Sequence, residues 1–95
     1  MKYQELDPLL HSELRLAIIS ILISAESADF SYIKEATGAT SGNISDQLEK
    51  LKTAGYIEIE KGYKGKMPQT TCKITQTGVE AFNAYVSVLK RYIER

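Results

Sequence analysis

The sequence predicts an α+β fold, mainly α, in which a long helix, two short helices, a two-stranded hairpin and a last helix follow one another. Three observations predict it. Apolar residues recur at helical spacing in four stretches, Tyr56-Ile57-Glu58-Ile59-Glu60 switches to strict alternation, and Gly, Pro or a capping residue stands at most junctions. Ninety-five residues are enough for one domain, 1–95, with a modest core.

Asp7-Pro8 reads as a helix start, because Asp accepts from a free backbone N–H and Pro at the first helical position gives up no needed donor. The first helix is expected over about 8–25. Leu10, Leu14, Ala17, Ile18, Ile21 and Leu22 form one broad stripe, and Leu9, Leu16, Ile19 and Ile23 fill other faces. A helix apolar around much of its girth has neighbours on two sides, of which a second subunit is one candidate. His11, near its start, has Cys72 as the one other soft ligand, which is not a zinc set, so a structural or surface role is expected and no metal.

Two short helices follow at about 30–54. Asp29 caps the first, Phe30, Ile33 and Ala36 form its apolar stripe, and Gly38 ends it. Thr40 or Ser41 caps the second, Ile44, Leu48 and Leu51 seat it on the core, and Gly55 supplies a left-handed stop. Two short helices joined through a Gly-containing turn are the helix-turn-helix layout. In that layout small polar residues near the start of the second helix meet base edges and phosphates. Ser41, Asn43, Ser45, Asp46, Gln47 and Lys50 form such an edge, and Gly42 permits close backbone approach. The other reading of this edge is a solvated helix face.

Tyr56 to Glu60 reads as a strand with Ile57 and Ile59 inward, and 61–69 as a turn-rich loop with two glycines and a proline. Thr70 to Thr75 is the returning strand, on which Cys72 and Ile74 share a face. The hairpin, about 56–75, has a basic tip: from Lys61 to Lys73 there are four lysines and no acid. Lys61, Lys64 and Lys66 are candidates for phosphate contact, with Tyr63 along a sugar edge. The alternative is a solubilising loop whose lysines discourage edge pairing.

Thr75 or Thr77 caps the last helix, about 76–94. Val79, Phe82, Val86, Leu89 and Ile93 fall at spacings of 3, 4, 3 and 4, and Tyr85 and Tyr92 broaden the seam. The seam packs along the first helix, on a partner chain, or on both. The preferred reading is a homodimer with Leu9, Leu16, Phe82, Tyr85, Val86, Leu89, Tyr92 and Ile93 at its interface.

Composition narrows the function. Hydrophobic residues at 43% and charged residues at 25% fit a folded domain rather than a disordered chain. Net charge is zero, but it is unevenly spread. Residues 1–40 carry three basic against six acidic side chains, and 41–73 carry six basic against four acidic, so the positive end holds the helix-turn-helix edge and the hairpin. A single cysteine, a polar N-terminus and an apolar run from Leu16 to Ile23 broken by Ser20 lead to the expectation of a cytoplasmic chain with no membrane span. No nucleophile has a base beside it and no glycine loop cradles phosphate, so neither enzymatic activity nor a cofactor is expected.

Residues 37–62, TGATSGNISDQLEKLKTAGYIEIEKG, with 70–78, TTCKITQTG, resemble winged helix-turn-helix transcriptional regulators of the multiple-antibiotic-resistance (MarR) and arsenical-repressor (ArsR) type. The likeness extends from Leu6 to Ile93, is greatest to compact MarR-like chains that are little more than the winged domain, and includes the opening LDPLLHSELRLAII. Its most specific parts are Ser45, Leu48, Leu51, Gly55, Tyr56 and Ile57 in one run, and Ile74, Thr75 and Gly78 closing the wing. The resemblance implies a sequence-specific, homodimeric regulator of double-stranded DNA, more in keeping with a repressor that occludes a promoter. By position it assigns Thr40, Ser41, Gly42, Asn43, Ser45, Asp46 and Gln47 to the DNA-contacting helix, Lys50 near the backbone, and Lys64 and Lys66 to the wing. Asp46 stands where many relatives carry arginine, and no arginine lies between Lys34 and Lys90. The cysteine-rich metal-sensing signature of arsenical-repressor relatives is absent, so no metal is implied, and no small-molecule effector is identified. The alternative from another class is a winged-helix module that binds protein rather than DNA.

Overall fold

The computed structural model describes residues 3–94; residues 1, 2 and 95, included in the expected domain, lie outside the described residues. The order is α1 (Glu13–Ala25), β1 (Ser27–Asp29), α2 (Phe30–Thr37), α3 (Ser41–Thr53), β2 (Ile57–Lys64), β3 (Met67–Ile74) and α4 (Gln76–Ile93). Four helices thus pack with a three-stranded antiparallel sheet of order β1-β3-β2. The α+β, mainly α fold with a wing and flanking helices is the one the sequence predicts, with one strand more.

That extra strand is β1. It pairs Ser27 with Lys73, Ala28 with Cys72 and Asp29 with Thr71, where the sequence suggested only a link. Three residues reading Ser-Ala-Asp carry no apolar alternation, so only the partner strand defines them. The chain enters β1 through Glu26, at φ 66° and ψ −41°, an uncommon conformation for a residue with a Cβ. Its N–H donates to the Leu22 carbonyl at 2.9 Å and its carbonyl accepts from Ile74 N–H at 3.1 Å, so helix end and strand are joined through one residue.

The first helix begins at Glu13 instead of Pro8. Asp7 does initiate a turn: its Oδ1 accepts from Leu9 N–H at 2.9 Å and its carbonyl from His11 N–H at 2.8 Å. Ser12 then extends to φ −147°, which ends that turn before α1 starts. Two tertiary demands fix this break. Leu10 is fully buried, and Tyr56 Oη donates to Asp7 Oδ2 at 2.6 Å, so the segment follows the core surface rather than the α1 axis. Tyr3 stacks on Tyr92 with ring centroids 4.6 Å apart, and Tyr92 Oη donates to the Gln4 carbonyl at 2.7 Å. Residues 3–12 are therefore a strap from the far end of α4 to the base of the wing.

The capping signals are realised. Asp29 Oδ1 accepts from Tyr32 N–H at 2.7 Å, Thr40 Oγ1 from Asn43 N–H at 3.2 Å and Thr75 Oγ1 from Gly78 N–H at 3.0 Å. α3 ends in a Schellman arrangement: Gly55, at φ 81°, donates to the Lys52 carbonyl at 2.9 Å, and Tyr56 donates to the Leu51 carbonyl at 3.0 Å. The start of α4 is laid onto this turn. Thr75 Oγ1 donates to the Gly55 carbonyl at 2.6 Å and Thr75 N–H to the Tyr56 carbonyl at 3.1 Å. Gly78 is buried against the same carbonyl, and a Cβ there would lie 2.2 Å from Tyr56 O.

The core is formed by Leu10, Ile18, Ile19, Leu22, Ile33, Ile44, Leu51 and Cys72, all fully buried, with Leu48, Ile57 and Tyr85 nearly so. It lies under α3, so the three apolar residues of that helix hold it rigidly by one edge. Cys72 is a free, buried thiol. His11, expected to be structural or on the surface, is exposed and is joined through Nδ1 to Tyr85 Oη at 3.0 Å.

Two outcomes follow. In Gly78→Ala the new methyl meets a backbone carbonyl that cannot rotate away. Overpacking of that kind, offset by about 1 kcal/mol of helix propensity, is expected to give a net loss of about 2 kcal/mol in urea denaturation. Burial, then the hydrogen bond to Asp7 and its charge, push Tyr56 up from 10.0 to about 12; burial and then the Asp29 charge push Cys72 up from 9.0 to about 11. Both groups are held neutral in the folded chain. Their contribution is whole below pH 9, where both are neutral in the unfolded chain too, and is lost as the pH rises from 9 to 12. Denaturation across that range should show the fall, and Tyr56→Phe should reduce its part above pH 10.

Candidate nucleic-acid interface

Two elements carry the residues singled out in the sequence. α3 presents Ser41, Gly42, Asn43, Ser45, Asp46 and Lys50 exposed, while Ile44, Leu48 and Leu51 anchor the opposite edge. Thr40 is exposed, but its hydroxyl is occupied as the cap. The first-turn N–H groups of Ser41 and Gly42 have no partner within the helix, and the helix dipole adds positive potential there. Lys50 and Lys52 stand in the last turn. Asp46 and Glu49 are exposed, so this surface is of mixed charge.

Gln47 differs from the expectation of a free base-reading side chain. It is half-buried, and both ends of its amide are engaged within the chain. Arg15, from α1, donates through Nη1 to Gln47 Oε1 at 2.5 Å and through Nε to the Leu9 carbonyl at 2.6 Å. Gln47 Nε2 in turn donates to Asn43 Oδ1 at 2.9 Å. The arginine missing from the local sequence of the helix is thus delivered from 32 residues away. No local signal points to it, since an arginine within an apolar helix reads as a solvent-facing residue until the fold brings α1 against α3.

The wing is longer than the expected strand-loop-strand. β2 and β3 pair without interruption from Ile57 opposite Ile74 to Lys64 opposite Met67, leaving Gly65 and Lys66 as the turn. Gly65 has φ 64° at the first central position, which matches the twist of a two-residue hairpin. Pro68 fits because β1 reaches only to Thr71, so no donor is required from Pro68 on the open side. Lys61, Tyr63, Lys64 and Lys66 are all exposed on this ribbon. Tyr63, 76% exposed, pairs with Pro68, and Met67, 70% exposed and not singled out from the sequence, pairs with Lys64.

The residues expected at a dimer interface separate into two stripes of α4. Tyr85, 4% exposed, turns into its own chain beside Val88, a residue not singled out from the sequence, and Tyr92 is covered by Tyr3 and Gln4. Phe82, Val86 and Leu89 are half-buried and Ile93 is 71% exposed, so the second stripe is incompletely covered. Leu9 and Leu16 are half-buried. The structure brings Tyr85 into the core and leaves the seam beside it open.

Among the described residues, no helix is long and apolar enough to cross a membrane, and no three His, Cys, Asp or Glu side chains are grouped to hold a metal ion. The sequence profile of the winged helix DNA-binding domain matches residues 14–93. An uncharacterized protein of Methanocaldococcus jannaschii is 36% identical over 77 residues, 80% of this chain and 83% of that protein. The structure of a transcriptional regulator homologue from Pyrococcus horikoshii OT3 aligns with a TM-score of 0.85 at 29% identity, covering 90% of this chain and 85% of that one. A mutant MarR from E. coli, solved in complex with operator DNA, aligns with a TM-score of 0.72 over 86% of this chain and 58% of its own length. Identity to it is 15%, so that likeness is one of fold. With the profile spanning α1 to α4 and a relative of this identity across most of both chains, the protein belongs to the winged helix DNA-binding domain family, and its fold is that of MarR-like structures.

Proposed function

We propose that this protein is a sequence-specific, homodimeric DNA-binding regulator of transcription, acting in the cytoplasm as a repressor by promoter occlusion. The observation that carries the reading is the polar first turn of α3, exposed from Ser41 to Asn43 and held by fully buried Ile44 and Leu51, beside a hairpin with Lys61, Lys64 and Lys66 exposed. Ser41, Asn43, Ser45 and Asp46 meet base edges in the major groove, and Asp46 accepts from cytosine N4. Gly42 brings the backbone close, Thr40 holds the helix start, and Gln47 supports Asn43. Lys50 and the wing residues Lys61, Lys64 and Lys66 hold phosphates, with Tyr63 along a sugar edge.

The open seam of α4 supports the dimer. An apolar stripe of Phe82, Val86, Leu89 and Ile93 beside a second stripe already buried is more than one chain covers. Two α3 helices about 34 Å apart then read half-sites on one face of the duplex. Exposed Asp46 and Glu49 favour one other reading, a module that binds a protein partner. Fluorescence anisotropy against a randomised duplex pool at two salt concentrations, with sequencing of the bound fraction, separates them. A two-fold motif with steep salt dependence supports the regulator, and absence of binding at low salt rejects it.

Lys64→Ala should weaken binding to every duplex alike and reduce the slope of log affinity against log salt by about 1. Asn43→Ala should remove the preference at one base position of each half-site, costing about 1–3 kcal/mol at the cognate site. Val86→Glu should leave helix content intact while sedimentation shifts from dimer to monomer.

A further inference from the structure

We infer that Arg15 is a positioning residue that sets the base preference of the recognition helix by fixing which end of the Asn43 amide faces the DNA. The inference rests on the DNA reading of α3 proposed above. It begins from a chemical asymmetry: a guanidinium donates five N–H groups and accepts nothing, whereas a primary amide has one accepting and one donating end. Because Arg15 reaches Gln47 from the α1 side, Gln47 must turn Oε1 toward it. Its Nε2 is then the end left for Asn43, and Asn43 must answer with Oδ1. Each amide orientation is imposed by the one before it. The Leu9 carbonyl, accepting from Nε at 2.6 Å, keeps the guanidinium from rotating away.

Asn43 stands at the exposed third position of α3, and its own N–H is tied to Thr40 Oγ1. Oδ1 accepts from Gln47 through one of its two lone pairs, which sets the amide orientation and leaves the Nδ2 donors as the end offered to a base edge. A free asparagine pairs with adenine by donating to N7 and accepting from N6. The constrained one offers a donor and suits the acceptors of guanine, N7 and O6, or of thymine, O4. A half-buried cation behind the helix thus specifies hydrogen-bond polarity at a base it never touches.

The experiment is selection of randomised duplexes by the full chain, with base frequencies compared among variants. Asn43→Ala identifies the position, as the one whose preference it flattens; there the wild type is expected to favour guanine or thymine. In Gln47→Glu the introduced carboxylate keeps its Arg15 partner but can only accept. Asn43 then turns Nδ2 inward and presents Oδ1, and the preference moves about tenfold toward the amino-bearing bases, cytosine and adenine. Arg15→Met releases the relay and broadens the preference to include adenine. Adding Asn43→Ala to Gln47→Glu abolishes the shift.

An unchanged preference in Gln47→Glu, or a uniform loss of affinity with the same motif, overturns the relay while leaving the DNA reading intact. A shift that survives Asn43→Ala means that the carboxylate reads the base itself, and also overturns it. A wild type that enriches no motif overturns the DNA reading and this inference with it.

Discussion

The tertiary structure turns on one junction, where the end of α3 meets the beginning of α4. The Gly55 and Tyr56 carbonyls, freed by the Schellman turn, are satisfied by Thr75 through its hydroxyl and its N–H. Gly78 lets the first turn of α4 rest directly on the Tyr56 carbonyl. With Gly78 buried against the Tyr56 carbonyl, this contact fixes the exit of α3, the root of both long wing strands and the direction of α4 together. Displacing it would change the angle between α3 and the wing, on which the proposed simultaneous grip of groove and phosphates depends.

Most of what is local was legible in the sequence. Asp29, Thr40 and Thr75 each cap the helix that follows, Gly38 and Gly55 adopt left-handed conformations, and Ile57 points inward. These are decided by a residue and its neighbours within about four positions, the range over which cap and periodicity signals act. What was not legible is decided by partners far along the chain. The break at Ser12 depends on Tyr56 holding Asp7, β1 exists only because β3 lies beside it, and Gln47 is occupied only because α1 presents Arg15. The length of the wing strands is hidden for another reason: glycine and proline between residues 61 and 69 resemble a loop until the register shows Gly65 serving a tight turn and Pro68 lying along an open edge.

The charge distribution gives the surface a character unlike that of a strongly basic DNA-coating protein. Zero net charge offers little long-range attraction, and the exposed acids of α3 offset part of the positive charge of the wing lysines. Nonspecific association would be weak and salt-sensitive, leaving discrimination to short-range contacts at the helix. A binder of this kind spends little time on unrelated sequence. The ordered amides of Asn43 and Gln47 suit that regime, because side chains already immobilised lose less entropy on binding.

The strap of residues 3–12 bears on the order of events in folding. Its bonds join residues 88 and 49 positions apart, Tyr92 to Gln4 and Tyr56 to Asp7, while the turns and caps of the body close over three to five. Closing such wide loops is favourable only once the intervening chain is compact, which favours docking of the strap after the folding barrier has been crossed. Interactions formed that late slow unfolding and leave the folding rate nearly unaltered. An N-terminal segment that docks late is a kinetic latch, one that governs how long the native chain persists rather than how quickly it is reached.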